Sequence, residues 1–289
     1  MADILITGGA GNFGRTLATA LDAQGHALRL LDLPACDFGF ADQLQNGRVF
    51  RGDIMDPAAL AAPLDGVDLI FHLAAILPPA SEADRDRTFR INVDGTRTLL
   101  QAAQASGAAP GVVFASSISV YGDTSGRAER ITPGDPVNPN DIYAASKVEA
   151  ERVLAESGLP WVNLRISAIA IPEFLDPPEP WPFQPDQRIE LVVLDDLVRA
   201  MVALVDKKQA FGKTLIIAGG PTWQITGREY VTRWGEIMEI PEDEMSYLDR
   251  PGWLNWYDTD ESEAQLGYQR TTLDDFWGQL KQAVNEALA

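Results

Sequence analysis

The chain has 289 residues, 46% of them hydrophobic, with a single cysteine and a formal net charge of −19 at pH 7. That length fits one large α/β unit or two small domains with a sizeable core, and the charge opposes nucleic acid and anionic membrane surfaces, so no nucleic acid and no membrane partner is expected. The lone Cys36 excludes an intrachain disulfide and reads as an ordinary thiol, no metal-ligand cluster is visible, and no apolar run reaches the roughly 18 residues of a membrane span. The start, Met1-Ala2-Asp3-Ile4, runs straight into a strand with no basic or cleavable leader pattern, from which a cytoplasmic protein is expected.

In chain order, Ile4 to Thr7 is a short apolar strand, followed by Gly8-Gly9-Ala10-Gly11-Asn12-Phe13-Gly14 and a helical run through Leu17, Ala20 and Leu21. Ala27 to Leu31 is a second strand ending at Asp32, and Val49-Phe50 leads to Gly52-Asp53-Ile54 at the end of a third. Asp68 to Phe71 is a fourth, opening into His72-Leu73-Ala74-Ala75, and one long helix is expected from about Glu82 to Ala105. Val112 to Ala115 ends at Ser116-Ser117, a helix through Tyr143 and Lys147 runs to about Glu156, and Trp161 to Leu164 is a sixth strand. Short apolar strands alternating with helices predict βαβ units in a doubly wound, parallel, Rossmann-type α/β sheet.

After about residue 166 the character changes. Six prolines between Pro172 and Pro185 exclude a regular helix there, and six of the seven tryptophans lie at or beyond Trp181. A helix at Asp196 to Val205 and a strand at Lys213 to Ile217 return to the sheet, and helices follow at Thr226 to Met238 and Leu273 to Leu288. The expected division is a nucleotide-binding core, 1–166 with 189–218, and a small C-terminal substrate-binding cap, 167–188 with 219–289.

Glycines at 8, 11 and 14, between a strand and a helix, allow a tight turn and close approach of a pyrophosphate to the helix N-terminus. Asp32, at the end of the second strand, is placed to bind the adenosine ribose hydroxyls and to repel a 2′-phosphate, which favours NAD over NADP. Tyr143 and Lys147 stand one helical turn apart on one face. A nearby ammonium is expected to lower the tyrosine pKa and make the pair a general acid or base. That spacing alone is common in amphipathic helices; its weight comes from what precedes it.

In order, these segments resemble the extended short-chain dehydrogenase/reductase family, the NAD-dependent epimerase/dehydratase group, over essentially the whole chain. Thr7 to Gly14 is similar to its cofactor loop, Gly52-Asp53-Ile54 to its adenine motif, and His72-Leu73-Ala74-Ala75 to the fourth-strand segment lining the cofactor. Asn92-Val93-Asp94-Gly95-Thr96 is similar to its long-helix motif, whose Asn is structural, and Asp258-Thr259 with Gln265 to Tyr268 to the segment before the last helix. Ser116 to Gly122 is similar to the segment whose catalytic serine lies four before a tyrosine, which selects Ser117. The resemblance implies Ser117, Tyr143 and Lys147 as catalytic residues. It implies Gly8, Gly11, Asn12, Phe13, Gly14, Asp32, Asp53, Ile54, Leu73, Ala74 and Ala75, with Tyr143 and Lys147, as NAD contacts. It also implies a small-molecule substrate and a homodimer paired through the long helix and the Tyr/Lys helix. His72 reads as a packed, structural histidine.

Departures from the family pattern narrow the expected activity. Dehydratases of the group carry Thr-Asp-Glu where this chain has Ser117-Ile118-Ser119, which disfavours elimination. Nucleotide-sugar enzymes carry Asn where this chain has Ala168. Arg165 reads as structural, while Arg188 and Arg228 are open between solvated surface and substrate anion contacts. The resulting expectation is an NAD-dependent oxidoreductase acting on a hydroxyl of a sugar, sugar acid or similar small alcohol. A nucleotide-sugar epimerase with retained cofactor is the alternative, and a non-catalytic NAD-binding sensor a weaker one. The loops 77–88, 122–140 and 167–190 are expected to set specificity.

Overall fold

Each short apolar run becomes a strand of one sheet. The computed structural model describes residues 1–289, apart from the side chain of Glu242. The strands are β1 (Asp3–Thr7), β2 (Ala27–Asp32), β3 (Gly47–Arg51), β4 (Leu69–His72), β5 (Gly111–Ser117), β6 (Trp161–Ile166) and β7 (Lys213–Ile217). They form a seven-stranded sheet, parallel throughout, in the order β7-β6-β5-β4-β1-β2-β3. Chain order reverses between β1 and β4, which opens a crevice at their carboxyl ends.

The helices are α1 (Asn12–Asp22), α2 (Pro57–Leu64), α3 (Arg85–Phe89), α4 (Thr96–Ala105), α5 (Ile142–Ala155), α6 (Leu194–Leu204), α7 (Gly227–Met238), α8 (Asp260–Leu266) and α9 (Leu273–Leu288). Alternation along β1 sends Ile4 and Ile6 to one face and Leu5 to the other. The first face packs on Leu17 and Leu21 of α1 and Leu197 and Met201 of α6. The second packs on Leu60 of α2, Leu99 of α4 and Leu154 of α5. Both faces are therefore covered, which is what a parallel sheet of near-continuous apolar strands requires.

A third buried cluster contains Trp181, Phe183, Trp223, Tyr230, Trp234, Phe276 and Trp277. Its rings meet at 5.4 Å for Trp181 and Trp234 and at 4.9 Å for Tyr230 and Trp277. These tryptophans are packing residues. The proline-rich stretch forms no regular helix. Thr226 caps α7 through a reciprocal box with Glu229.

The long helix expected from about Glu82 to Ala105 is broken. A short turn at Ala80–Glu82 precedes α3, and a wide π-helical segment, Arg90–Gly95, joins α3 to α4. Asp84 caps α3 by accepting from the amide of Arg87. Inside the wide segment Asn92 is buried. Its Oδ1 accepts from the Ile76 amide at 2.7 Å, and its Nδ2 donates to the Ile76 carbonyl at 3.1 Å and to Ser146 Oγ at 3.0 Å. Asn92 thus ties the loop after β4 and helix α5 to one point, and local widening of the helix accompanies that inward placement.

Candidate active site

The crevice at the sheet switch point is a cavity of about 870 Å³. Every residue the sequence assigns to cofactor or catalysis lines it: Gly8, Gly11, Asn12, Phe13, Gly14, Asp32, Asp53, Ile54, Leu73, Ala74, Ala75, Ser117, Tyr143 and Lys147.

At one end lies the glycine loop. Gly8 has φ +72°, and a Cβ there would stand 2.9 Å from the amide nitrogen of Ala74, so β1 and the segment after β4 approach too closely for a side chain. A Cβ on Gly14 would lie 2.3 Å from the carbonyl oxygen of Gly8. The loop therefore folds back onto the start of α1 and leaves its backbone bare. Asp32 holds this arrangement, its Oδ2 accepting from the Ala10 amide at 3.0 Å and its Oδ1 from Leu33 at 2.9 Å. A bare loop at a helix N-terminus suits a pyrophosphate, and the neighbouring carboxylate suits ribose hydroxyls, so these residues fit NAD. Cys36 sits beside Asp32, where burial and then that carboxylate raise its pKa, in keeping with an ordinary thiol.

At the other end lies α5. Its first turn is held by two carboxylates: Asp141 caps it by accepting from Ala144 at 2.6 Å, and Glu82 accepts from the amides of Ile142 and Tyr143, both at 3.0 Å. Lys147 is buried, donates to the Ala115 carbonyl at 2.7 Å and lies 5.7 Å from the centre of the Tyr143 ring. Burial lowers the Lys147 pKa to about 8, against the raising effect of Glu151. Tyr143 differs from the sequence expectation. Burial, with Asp141 adding to it, pushes its phenol above the ordinary value of 10. In the chain alone, desolvation of the phenolate outweighs the ammonium one turn away.

Other residues read from the sequence lie outside the cavity wall. His72 is buried between Thr7 and Thr96, at 2.7 and 2.8 Å, and burial, then Lys147, depress its pKa to about 3. Arg165 pairs with Glu151 at 2.8 Å and donates to the Tyr121 hydroxyl at 2.9 Å. Neither Arg188 nor Arg228 lines the cavity. Arg188 stacks on Trp256 at 4.4 Å and donates to the Ala128 carbonyl, while Arg228 faces Asp186 at 3.6 Å.

The cation at the cavity wall that sequence reasoning missed is Arg87, on α3. Ala168 stands in the wall where the nucleotide-sugar pattern has Asn. Of the three loops expected to set specificity, 77–88 and 167–190 contribute to the wall and 122–140 does not. Ser119, Asp141 and Trp253 also line it without having been singled out. Asp141 carried a readable signal, being the acidic residue before an apolar helix start. Trp253 carried none, because only the tertiary fold brings it there.

A family model described as "NAD dependent epimerase/dehydratase family" matches residues 4–179. Among curated proteins, the 3 beta-hydroxysteroid dehydrogenase/Delta 5→4-isomerase of Mycobacterium tuberculosis is 40% identical over 167 residues, covering 54% of this chain and 43% of that protein. The D-erythronate dehydrogenase of Cupriavidus necator is 34% identical over 164 residues, covering 53% of this chain and 50% of that protein. The chain thus spans about half the length of the curated relatives it matches. Among solved structures, DesIV, a dTDP-glucose 4,6-dehydratase from Streptomyces venezuelae with NAD and TYD bound, superposes with a TM-score of 0.83 at 26% identity, covering 98% of this chain and 97% of that one. A short-chain dehydrogenase/reductase superfamily protein from Agrobacterium tumefaciens with bound NAD shares the fold, with a TM-score of 0.81 at 24% identity over 99% of this chain and 98% of that one. The chain belongs to the NAD-dependent epimerase/dehydratase family, a family of enzymes that use NAD.

Proposed function

We propose that this chain is an NAD-dependent dehydrogenase that oxidises a hydroxyl of a sugar, sugar acid or similar small alcohol. One observation carries the reading: Ser117, Tyr143 and Lys147 line the same cavity as Gly8, Gly14 and Asp32. The D-erythronate dehydrogenase relative supports an alcohol substrate.

Bound NAD supplies the hydride acceptor. The chain's own residues handle the substrate oxygen and its proton. Ser117 Oγ accepts from the Ser119 amide at 3.1 Å, which leaves its own O–H to donate to the substrate oxygen. Tyr143 takes the hydroxyl proton. Its phenol resists ionisation in the chain alone, the Lys147 ammonium notwithstanding, so the positive charge that bound oxidised nicotinamide would add is needed beside that ammonium, which is largely retained at neutral pH. Asp32 selects an unphosphorylated ribose.

The retained-cofactor epimerase is the second reading, and the cavity wall argues against it. Its cations among the described residues are Arg87 and Lys147, and Ala168 offers no side-chain amide to a nucleotide diphosphate. Ser117-Ile118-Ser119 lacks the acids that elimination needs.

The cap of 167–188 and 219–289 is proposed as the substrate-binding part. Its first segment supplies Ile169 and Ile171 to the cavity, and its second supplies Trp253. A homodimer through α3, α4 and α5 is proposed too. Phe89 and Val148 share a surface depression there with Arg85, Asp94, Arg97 and Glu149, a mixed apolar and charged surface that a second copy could meet. A cytoplasmic setting belongs to the same reading; no helix among the described residues is long and apolar enough to cross a membrane.

The test is NADH absorbance with NAD and a panel of sugars, sugar acids and nucleotide sugars. Net NADH from a free sugar or sugar acid is the expected result. Sugar conversion without net NADH would favour the epimerase, and light scattering at the monomer mass would reject the dimer.

A further inference from the structure

Three successive residues end β5. The Ala115 carbonyl accepts from Lys147 Nζ at 2.7 Å, and Ser116 Oγ donates to Glu151 Oε1 at 2.6 Å. Ser117 follows, with the hydroxyl assigned to the substrate oxygen. Lys147 and Glu151 stand one helical turn apart on α5. Helix α5 is therefore tied to β5 at two neighbouring points, both next to Ser117. The second point is fixed from a third element. Arg165 of β6 lies in register with Ser116 and donates to Glu151 through Nε at 3.1 Å and Nη2 at 2.8 Å. Two parallel bonds to a carboxylate set direction as well as distance. Arg165 Nη1 in turn donates to the Tyr121 hydroxyl at 2.9 Å and the Pro133 carbonyl at 3.1 Å. The Arg165 and Glu151 side chains are only 9% and 12% exposed. A shielded ion pair recovers little more than its own desolvation, so stability alone is a poor account of Glu151.

We propose that Glu151 is a positioning residue for proton transfer: held by Ser116 and Arg165, it fixes α5 against the end of β5 and places its carboxylate one turn from the Lys147 ammonium. The inference rests on the dehydrogenase reading for the roles of Ser117, Tyr143 and Lys147. Tyr143, Lys147 and Glu151 recur at every fourth residue of α5, so they share one side of the helix. A displacement at Glu151 is carried along that side to the Tyr143 hydroxyl, and reacting groups tolerate a misplacement of only about 1 Å. Charge acts in the same place. The titratable groups that face Lys147 are Tyr143 on α5, His72 on β4 and Glu151. Burial keeps the Tyr143 phenol protonated and the His72 imidazole neutral. Glu151 is the acid of the three, and its carboxylate opposes the loss of the Lys147 proton that burial favours. Glu151 itself faces Arg165 and Tyr121, and burial keeps the Tyr121 phenol protonated.

The experiment uses the full chain with Glu151→Gln and with the double variant Glu151→Gln/Arg165→Gln. The double variant removes the buried charge that the single one leaves unpaired, and so guards against a failure to fold. In the first arm, the Lys147 ammonium is titrated by NMR of carbon-13-labelled lysine without cofactor or substrate. Its signal is assigned by its absence in Lys147→Met. Lys147 is expected to lose its proton at a pH lower by about half a unit or more in both variants. An unchanged titration, or one lowered in the single variant and restored in the double, overturns the charge contact. In the second arm, turnover of whichever panel alcohol the wild type oxidises is measured beside NAD binding. kcat is expected to fall by at least about tenfold in both variants, with NAD affinity held within about threefold. An unchanged kcat overturns the positioning role. A merely structural Glu151 would lower the unfolding midpoint and leave both the titration and kcat of the folded protein in place. NADH from no member of the panel would instead count against the dehydrogenase reading, and the titration would still decide whether Glu151 acts on Lys147.

Discussion

Lys147 Nζ donates to the carbonyl oxygen of Ala115 at 2.7 Å, so the ammonium is fixed to the end of β5 rather than resting on the phenol one turn away. Its position against Tyr143 is therefore set by the sheet. Burial has a thermodynamic consequence that can be measured without any substrate.

The Lys147 pKa is about 8 in the fold against 10.5 for the ordinary side chain. Between those values the unfolded chain binds more protons than the folded one, so this group makes stability rise with pH across the window. Lys147→Met removes the effect. The stability of Lys147→Met relative to wild type is expected to fall by roughly 2 kcal/mol between pH 8 and pH 10. Urea unfolding at several pH values checks this, and a pH-independent difference would refute the assigned burial.

Asp32 both clamps the glycine loop through the Ala10 amide and faces the cavity. Asp32→Ala is expected to weaken NAD by roughly tenfold, as the loss of a charged hydrogen-bond partner does, and to improve NADP relative to NAD. Loop damage alone would weaken both cofactors equally. Calorimetric titration with each cofactor separates the two outcomes, and an unchanged NAD/NADP ratio would remove Asp32 from ribose recognition.

The core of the fold was legible because a parallel sheet covered on both faces leaves a simple signature: short apolar runs such as Ile4 to Thr7, punctuated by glycines where the backbone must turn. The candidate site was legible at the ends of those strands, where the glycine loop, Asp32 and Ser117 stand, and on the helix that carries Tyr143. Less was readable where tertiary contacts override local pattern. The helical period across 82–105 gave no sign of the widened turn at Arg90–Gly95, because Asn92 turns inward only once Ile76 and Ser146 are in place. The spacing of Tyr143 and Lys147 suggested a lowered phenol pKa, and depth reversed that sign. Arg87 read as one charge among many until α3 brought it to the cavity.

Glu190 is fully buried behind the cavity wall and accepts from the Gly220 amide at 2.9 Å, the Tyr257 amide at 2.9 Å and Gln224 Nε2 at 3.0 Å. Burial raises its pKa to about 7, against those three donors. Glu190→Gln turns an amide donor toward N–H groups and is expected to destabilise the chain by about 1–3 kcal/mol at pH 5. The raised carboxyl contributes stability that is present below its ordinary value of 4.5 and lost as pH rises through 7. The gap between wild type and variant should therefore narrow over that range. Thermal unfolding at pH 5 and pH 8 measures it, and a gap that widens would contradict the sign.

The central claim is that Tyr143 moves the substrate proton while the glycine loop and Asp32 hold NAD independently of it. The most direct test is NADH formation by Tyr143→Phe on whichever alcohol the wild type oxidises, with NAD binding measured in parallel. The predicted result is a loss of turnover of roughly 10²-fold or more with NAD affinity little changed, as expected for removal of a general acid–base. Turnover close to that of the wild type would contradict the account.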